Sequence, residues 1–452
     1  MRAISPIAVV YMLATGGIGG ANPIAAPVIG TAAMAIALLR LLLVRYTTAS
    51  LRVARLFLLD FMLHDIPPDE EEQSHGTRLP RQHIRIDSWT GQECYDFTSF
   101  TQDQLRRIYV QFALAQLAAQ TDGYIRVFTG HEHYRFHPEE IYLFFMTKCR
   151  TGYGNREMCN LIFGGNPSRW SFGFPWILEY LDTRYARTIS HEKLRDYVDD
   201  FPSFYDALNR FIQKTSIHHH TDGSAEERVG LNFLPFSIFG FIDCSIDRVS
   251  RPLSGPDGDY IGAPRKPMHD AAQRAVYTGY KKCHGIKVET VMLPNGISTV
   301  YGPTSARIHD VGGVMQMSGL DNFLMLIQQG KPHVYSAFGD SVYNAQYLQC
   351  VRSYYKSHIP GVEITSDQKV CNNRIKTCRQ AIEWSYGDIE NIFRICSQAK
   401  SYRLGNKKPY VTEQLRMCHL LANIYTCLNG SKASSYCKFN IMPPTLEDYL
   451  EL

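Results

Sequence analysis

Apolar and polar positions divide this chain into stretches of different character. Residues 3–39 carry no charged side chain, and Ile24–Leu39 is densely apolar. About 20 apolar residues suffice to cross a bilayer, but Gly16, Gly17, Gly19, Gly20, Pro23, Pro27 and Gly30 interrupt the run. It is read as an accessory extension, with membrane contact through residues 1–45 as the alternative. Residues 46–64 pattern as an amphipathic helix, closing an N-terminal extension of residues 1–64. A Pro- and Glu-rich linker over 65–95 follows. From there the apolar period becomes helical: Leu105, Ile108, Phe112 and Leu117 mark one helix, and Pro138 opens another. A short helix REMCNLIFG follows the turn at 152–155. A third, opened by Ser168, Arg169 and Trp170, gives the spacing of a helix-turn-helix. An ordinary three-helix bundle has the same spacing. The helical region is placed at 96–212 and a polar linker, with His218, His219 and His220, at 213–235.

Beyond the linker the period shortens to that of strands. Phe236–Pro252 is an apolar run with one carboxylate, Asp243, inside it. An unpaired buried carboxylate shifts its pKa or requires a cation. Asp243 is therefore either tied down by amides and a nearby Arg248, or presented to a metal. His284–Leu293 alternates as a strand, Pro294-Asn295-Gly296 turns, and ISTVYGP returns as its hairpin partner. Asp310–Gln329 reads as helix, His333–Phe338 as a strand ending toward Asp340, and Asn373–Ile395 as a helix with Arg379 and Glu383 on one face. The order implies a mixed α/β layer that brings Asp243, Asp340 and Glu383 to one edge. Such a cluster repels itself unless divalent cations fill it, and hard oxygen donors suit Mg2+ or Mn2+. Three unrelated surface acids would read the same way.

Composition narrows this little further. The chain has 452 residues, 45% hydrophobic and 20% charged, which excludes a disordered protein. A net charge of +4 permits nucleic acid without demanding it. The 12 cysteines form no C-x-x-C pair, which fits reduced thiols better than a disulfide framework or a zinc ribbon.

The wording of the chain goes further. Over about residues 136–450 it resembles the PIF/Harbinger transposases, eukaryotic DDE-superfamily endonucleases, in particular fungal and oomycete-type members. The resemblance rests on GFIDCS around Asp243, YTGYKKCHGIKVETVMLPNG, GPTSARIHD, GDSVY around Asp340, and RQAIEWSYGDIENIF around Glu383. NIMPPTLEDYL near the end, and FHPEEIYLFF, TGYGNREM and GGNPSRWSFGFPWIL in the helical part, add to it.

The resemblance implies an α/β fold: a ribonuclease-H-like mixed sheet forming the nuclease domain over 236–429, an all-α helix-turn-helix region before it, and a tail over 430–452. It implies Asp243, Asp340 and Glu383 as catalytic ligands of two Mg2+ or Mn2+ ions, with Asp310 as a rival for the middle position. It also implies cut-and-paste transposition of double-stranded DNA into a short AT-rich target, a nuclear location, self-association and a Myb-like accessory protein. Candidate DNA contacts are Arg169, Arg251, Lys281, Lys282 and Lys287; Arg265, Lys266, Arg274, Lys400, Arg403, Lys407 and Lys408 form a wider set. Two positions depart from the pattern: Cys244 replaces a usual Gly, and Glu390 a usual Lys. A domesticated, catalytically silent DNA-binding protein is the competing expectation.

Overall fold

The computed structural model describes residues 83–129, 132–214, 218–219, 225–226, 237–250, 273–343, 348–356, 363–397, 410–437 and 439–451. The chain forms two compact units, Met1–Leu79 and Pro80–Leu452. The first lies outside the described residues, as do the expected apolar extension and amphipathic helix. Among the described residues no helix is long and apolar enough to cross a membrane.

The second unit opens with three short helices, α1 (Gly91–Thr98), α2 (Gln102–Phe112) and α3 (Leu114–Ala119). Thr90 and Thr101 accept the N–H of the residue three positions on, each an N-cap worth about 1 kcal/mol. The single helix expected here is two, because Ala113 takes a left-handed conformation between them. A hairpin of β1 (Ile125–Thr129) and β2 (Glu132–Phe136) leads to α4 (Pro138–Thr151), with Pro138 in its first turn and buried on nearly every side. After α5 (Asn155–Met158) comes the long α6 (Pro167–Ile189), capped by Asn166. Trp170 is fully buried and lies flat on Phe144, ring centroids 3.9 Å apart. A 3-10 segment, His191–Asp200, then joins α7 (Phe201–Lys214). The histidine stretch contributes a two-residue pair, β3 (His218–His219) against β4 (Ala225–Glu226).

The main sheet is mixed. Its strands are β5 (Ile238–Arg248), β6 (Tyr277–Thr278), β7 (Cys283–Met292), β8 (Ser298–Ser305), β9 (Ser336–Phe338) and β10 (Val351–Arg352). The spatial order is β8, β7, β5, β9, β10, with β6 pairing only the start of β7. β5, β7 and β8 are antiparallel neighbours, whereas β9 and β10 run parallel to β5. The β7–β8 turn is the one the sequence marks: Gly296 has φ +87°, and its N–H donates to the Leu293 carbonyl. The helix expected over 310–329 forms in two pieces, a π-helical stretch Asp310–Met315 running on through Gln316–Ser318, and α8 (Leu320–Ile327), with the break at Gly319, φ +65°.

Five helices follow among the described residues: α9 (Ser366–Ile392), the short α10 (Arg394–Ser397), α11 (Val411–Asn429), α12 (Lys432–Tyr436) and α13 (Leu446–Leu450). One face of β5 packs on α7 and α9, where Phe241 and Phe338 join Leu208, Cys378, Ala381 and Ile382. The other face contributes Phe239 and Ile242 to a core that runs continuously from Ile86 in the helical part to Leu450. Buried Asn423 of α11 accepts the Ser298 N–H at 3.0 Å, donates to the Ser298 carbonyl at 2.7 Å, and donates to the Tyr449 hydroxyl at 2.7 Å. The tail expected at 430–452 is thus part of the interior at Leu446, Tyr449 and Leu450.

Candidate active site

β5 occupies the middle of the sheet, and its register with β9 decides what stands beside Asp243. Phe241 pairs with Phe338 in parallel. Asp243, still inside β5, and Asp340, just past the end of β9, each follow by two residues, so strand alternation puts them on the same face as that pair. That face is the one α9 covers, since Phe241 and Phe338 already pack there. Gly240 is needed just upstream, because a Cβ there would lie 2.6 Å from the Met292 carbonyl oxygen. The Asp340 carboxylate accepts the Val342 N–H at 2.8 Å, and the Ser353 hydroxyl donates to its carbonyl.

α9 brings Glu383 over this edge. Thr365 caps the helix, and Ile375, Cys378, Ala381 and Ile382 bury its inner face. Glu383 is 51% exposed, and its Oε1 accepts from Arg379 Nη2 at 2.5 Å, one turn back. The same guanidinium lies 3.6 Å from Asp243 Oδ2, and its Nε donates to the Tyr354 hydroxyl at 3.2 Å. Arg379 therefore bridges two of the three acids. Tyr386 adds a second tie, donating to the Asp243 carbonyl at 3.1 Å.

Asp243 is only 21% exposed. Its pKa is pushed up to about 6 from an ordinary 3.8, chiefly by burial. Arg379 and the Cys244 N–H, 2.9 Å from Oδ1, hold it back, while Asp340 and Glu383 push it further. Burial also raises Tyr354, with Asp340 and Glu383 contributing. Both carboxylates are thus within electrostatic reach of Asp243 and Tyr354.

The fit to metal is one of chemistry. Three carboxylates, one of them held toward its neutral form by burial and repulsion, are the donors that hard divalent ions favour. Among the described residues, however, no three His, Cys, Asp or Glu side chains stand close enough to ligate an ion as they are. Arg379 supplies the positive charge between Asp243 and Glu383 instead.

The remaining candidates fall elsewhere. Lys287 contacts Asp310 and donates to the Ile308 carbonyl at 2.6 Å. Lys287 pairs in register with Ile246, and Glu289 with Cys244. These residues share the sheet face opposite Asp243, so Asp310 is not brought to the trio. Lys281 and Lys282 are exposed at the β6–β7 turn, about 25 Å along β7 from the level of Asp243. Arg169 is 14% exposed; it donates to the Arg135 carbonyl at 2.6 Å, lies 3.3 Å from buried Glu140, and stacks over Phe136. Arg169 and Trp170 are therefore packing residues rather than the exposed cap their position suggests. Arg251, Arg265, Lys266, Lys400, Arg403, Lys407 and Lys408 lie outside the described residues.

The two departures resolve differently. Cys244 is in regular strand with its side chain across the sheet from Asp243, where Sγ lies 3.4 Å from the Tyr343 hydroxyl. Nothing in that backbone calls for glycine. Glu390 faces Asp247, whose pKa is pushed up to about 7, first by burial and then by Glu390. The acidic surface therefore extends along α9 beyond Glu383.

Sequence reasoning missed Tyr354, which follows the unread β10, and the tie from Tyr386. It also missed fully buried Glu289, with His191 Nε2 3.1 Å from its Oε1 and His191 Nδ1 2.9 Å from the Thr299 hydroxyl. The signal used for Asp243, an acid inside an apolar strand, was present there too.

Residues 260–423 match the DDE superfamily endonuclease family. The matched span contains Asp340, Glu383 and Arg379 and begins after β5, so Asp243 lies outside it. No curated protein and no solved structure matches the chain. That family is one of endonucleases, and the matched span takes in Asp340 and Glu383 of this edge.

Proposed function

We propose that this chain is a metal-dependent DNA endonuclease of the PIF/Harbinger transposase type, built on a ribonuclease-H-like sheet. The observation that carries the reading is the parallel register of β5 and β9. It sets Asp243 beside Asp340 on the face covered by α9, with Glu383 one arginine away. Asp243, Asp340 and Glu383 would hold two Mg2+ or Mn2+ ions. Such ions lower the pKa of an attacking water and stabilise the leaving oxygen of a phosphodiester.

The chain's own residues prepare that edge. Asp243, its pKa pushed up to about 6 chiefly by burial, gains its negative charge as pH rises through that value. Arg379 holds the Glu383 carboxylate toward Asp243, and Tyr386 fixes the backbone that carries Asp243. The Val342 N–H restricts the Asp340 carboxylate to one orientation. Lys281 and Lys282 meet the DNA backbone at a distance, where phosphate contacts set position rather than sequence. Hydrolysis frees a 3′-hydroxyl at the element end, which attacks target DNA in turn. A nuclear location, a Myb-like partner and self-association belong to this reading.

The test is cleavage of a duplex carrying the element end, with Mg2+, by the wild-type chain and by Asp243→Ala. Cutting by the wild type alone is expected, and equal cutting by both would overturn the assignment. A silent DNA-binding descendant is the second reading, favoured by Arg379 standing between two of the acids. DNA binding by the wild type with no cutting in Mg2+ or Mn2+ would select it.

A further inference from the structure

Beside the carboxylate edge, two large aromatic rings are held in solvent. Trp384 directly follows Glu383 on α9 and is 38% exposed; Tyr436 on α12 is 61% exposed. Their ring centroids are 4.6 Å apart with planes at 87°, an edge-to-face pair. One turn further along both helices, Lys432 Nζ lies 2.7 Å from Asp388 Oδ1. Trp384 and Asp388 are four residues apart, as are Lys432 and Tyr436, so α9 and α12 are laced antiparallel at two levels. The rings are thus fixed in place and not left loose. Burial would favour hiding rings of this size, and the other tryptophans follow that rule: Trp89 and Trp170 are buried and Trp176 packs on Tyr180.

The surroundings select the kind of ligand. Lys369, which is paired with Glu363, and Lys376 stand fourteen and seven residues before Glu383 and are exposed on the same stripe of α9. They lie about 21 and 10 Å from it along the axis. On the other side of Glu383 the stripe turns acidic at Glu390. An apolar protein segment would meet charge on every side of so small a patch. A strand with flat bases and a phosphate backbone matches both the rings and the exposed ammonium of Lys376. Enzymes that work on a strand withdrawn from its duplex need a surface for the unpaired base, and aromatic rings supply it without regard to sequence.

We propose that Trp384, steadied by Tyr436, is a stacking platform for an unpaired base of the DNA strand at the carboxylate edge, with Lys376 taking a phosphate of that strand. The proposal rests on the nuclease reading and adds to it that the DNA is locally opened at the site.

The experiment uses the full chain in metal-free buffer, so that no cutting occurs. The probe is a short duplex with a single-stranded 3′ overhang carrying 2-aminopurine at its first unpaired position. The same duplex, fully paired, is the control. The wild type is expected to quench the 2-aminopurine on binding. Trp384→Ala should abolish the quench and weaken overhang binding by about 5- to 100-fold, the range of one lost base–aromatic stack. Trp384→Phe should keep most of both, and Tyr436→Ala should lose part. Paired DNA should bind all variants within about twofold. Binding by the wild type without quenching overturns the platform while leaving the nuclease reading intact, and it does so whether or not Trp384→Ala folds. Equal loss on both DNAs in Trp384→Ala overturns it as well. Failure of the wild type to bind either DNA removes the nuclease reading and the platform together.

Discussion

Asp243→Asn is expected to stabilise the metal-free protein at neutral pH while abolishing its activity. The folded-state pKa of Asp243 is about 6 against an ordinary 3.8. The folded protein therefore binds the proton more tightly than the unfolded chain between those values, and stability falls as pH rises through that window. Below about pH 4 the carboxyl is neutral in both states and contributes nothing; above about pH 6 the full penalty applies. A gap of about 2 pH units at 1.36 kcal/mol each is about 3 kcal/mol. Solvent reaching the 21% of the side chain that is exposed reduces it somewhat. Over the residues Pro80–Leu452, an unfolding entropy of about 0.8 kcal/mol/K turns this into about 4 °C. Asparagine keeps the shape and removes the charge, while Arg379 retains Glu383 and Tyr354. Asp247, pushed up to about 7, produces a similar fall in both proteins, so the difference between them isolates Asp243. The assay is thermal unfolding of both proteins from about pH 4 to pH 8, with and without MgCl2. The variant should melt higher at neutral pH and converge with the wild type near pH 4. Added Mg2+ should raise the wild type more than the variant. A variant no more stable than the wild type at neutral pH, or a difference that does not depend on pH, would refute the reasoning.

Three further outcomes follow from the geometry. Replacing Lys281 and Lys282 together by Ala should weaken DNA binding alike across sequences and reduce the slope of log affinity against log salt by about two. His191→Ala leaves buried Glu289 without its imidazole and should cost about 3 kcal/mol, seen as a lowered denaturation midpoint. Gly240→Ala drives a methyl group against the Met292 carbonyl; a loss of about 1–3 kcal/mol in chemical denaturation, with a matching fall in cleavage, is expected. A neutral result there would mean that β5 and β7 are free to spread.

The central strands and the hairpin were legible because each is self-contained. An apolar alternation and a Pro-Asn-Gly turn define β7 and β8 without help from distant residues. Glu383 and Arg379 were readable as helix neighbours for the same reason. What the sequence concealed depends on contacts between distant segments. β10 is two residues long and exists only because β9 lies beside it. Arg169 and Trp170 have the look of an exposed helix start, and only the approach of Phe136, Glu140 and Phe144 withdraws them. Tyr354 reaches Arg379 across 25 residues, and no local period announces such a contact. Asp310, conspicuous in its motif, is claimed by Lys287 on the far face of the sheet.

The continuous core has a consequence for how such a protein can be taken apart. Tyr449 reaches Asn423 and lies 3.5 Å from the Thr188 carbonyl, while Glu447 pairs with Arg107 at 2.8 Å. Helical part, sheet and α13 are therefore one cooperative body and not cassettes on a string. Shuffling the helical part onto another protein would leave apolar surface bare on both pieces. Among the described residues from 83 to 451, change is confined to surface exchanges around a body that cannot be recombined.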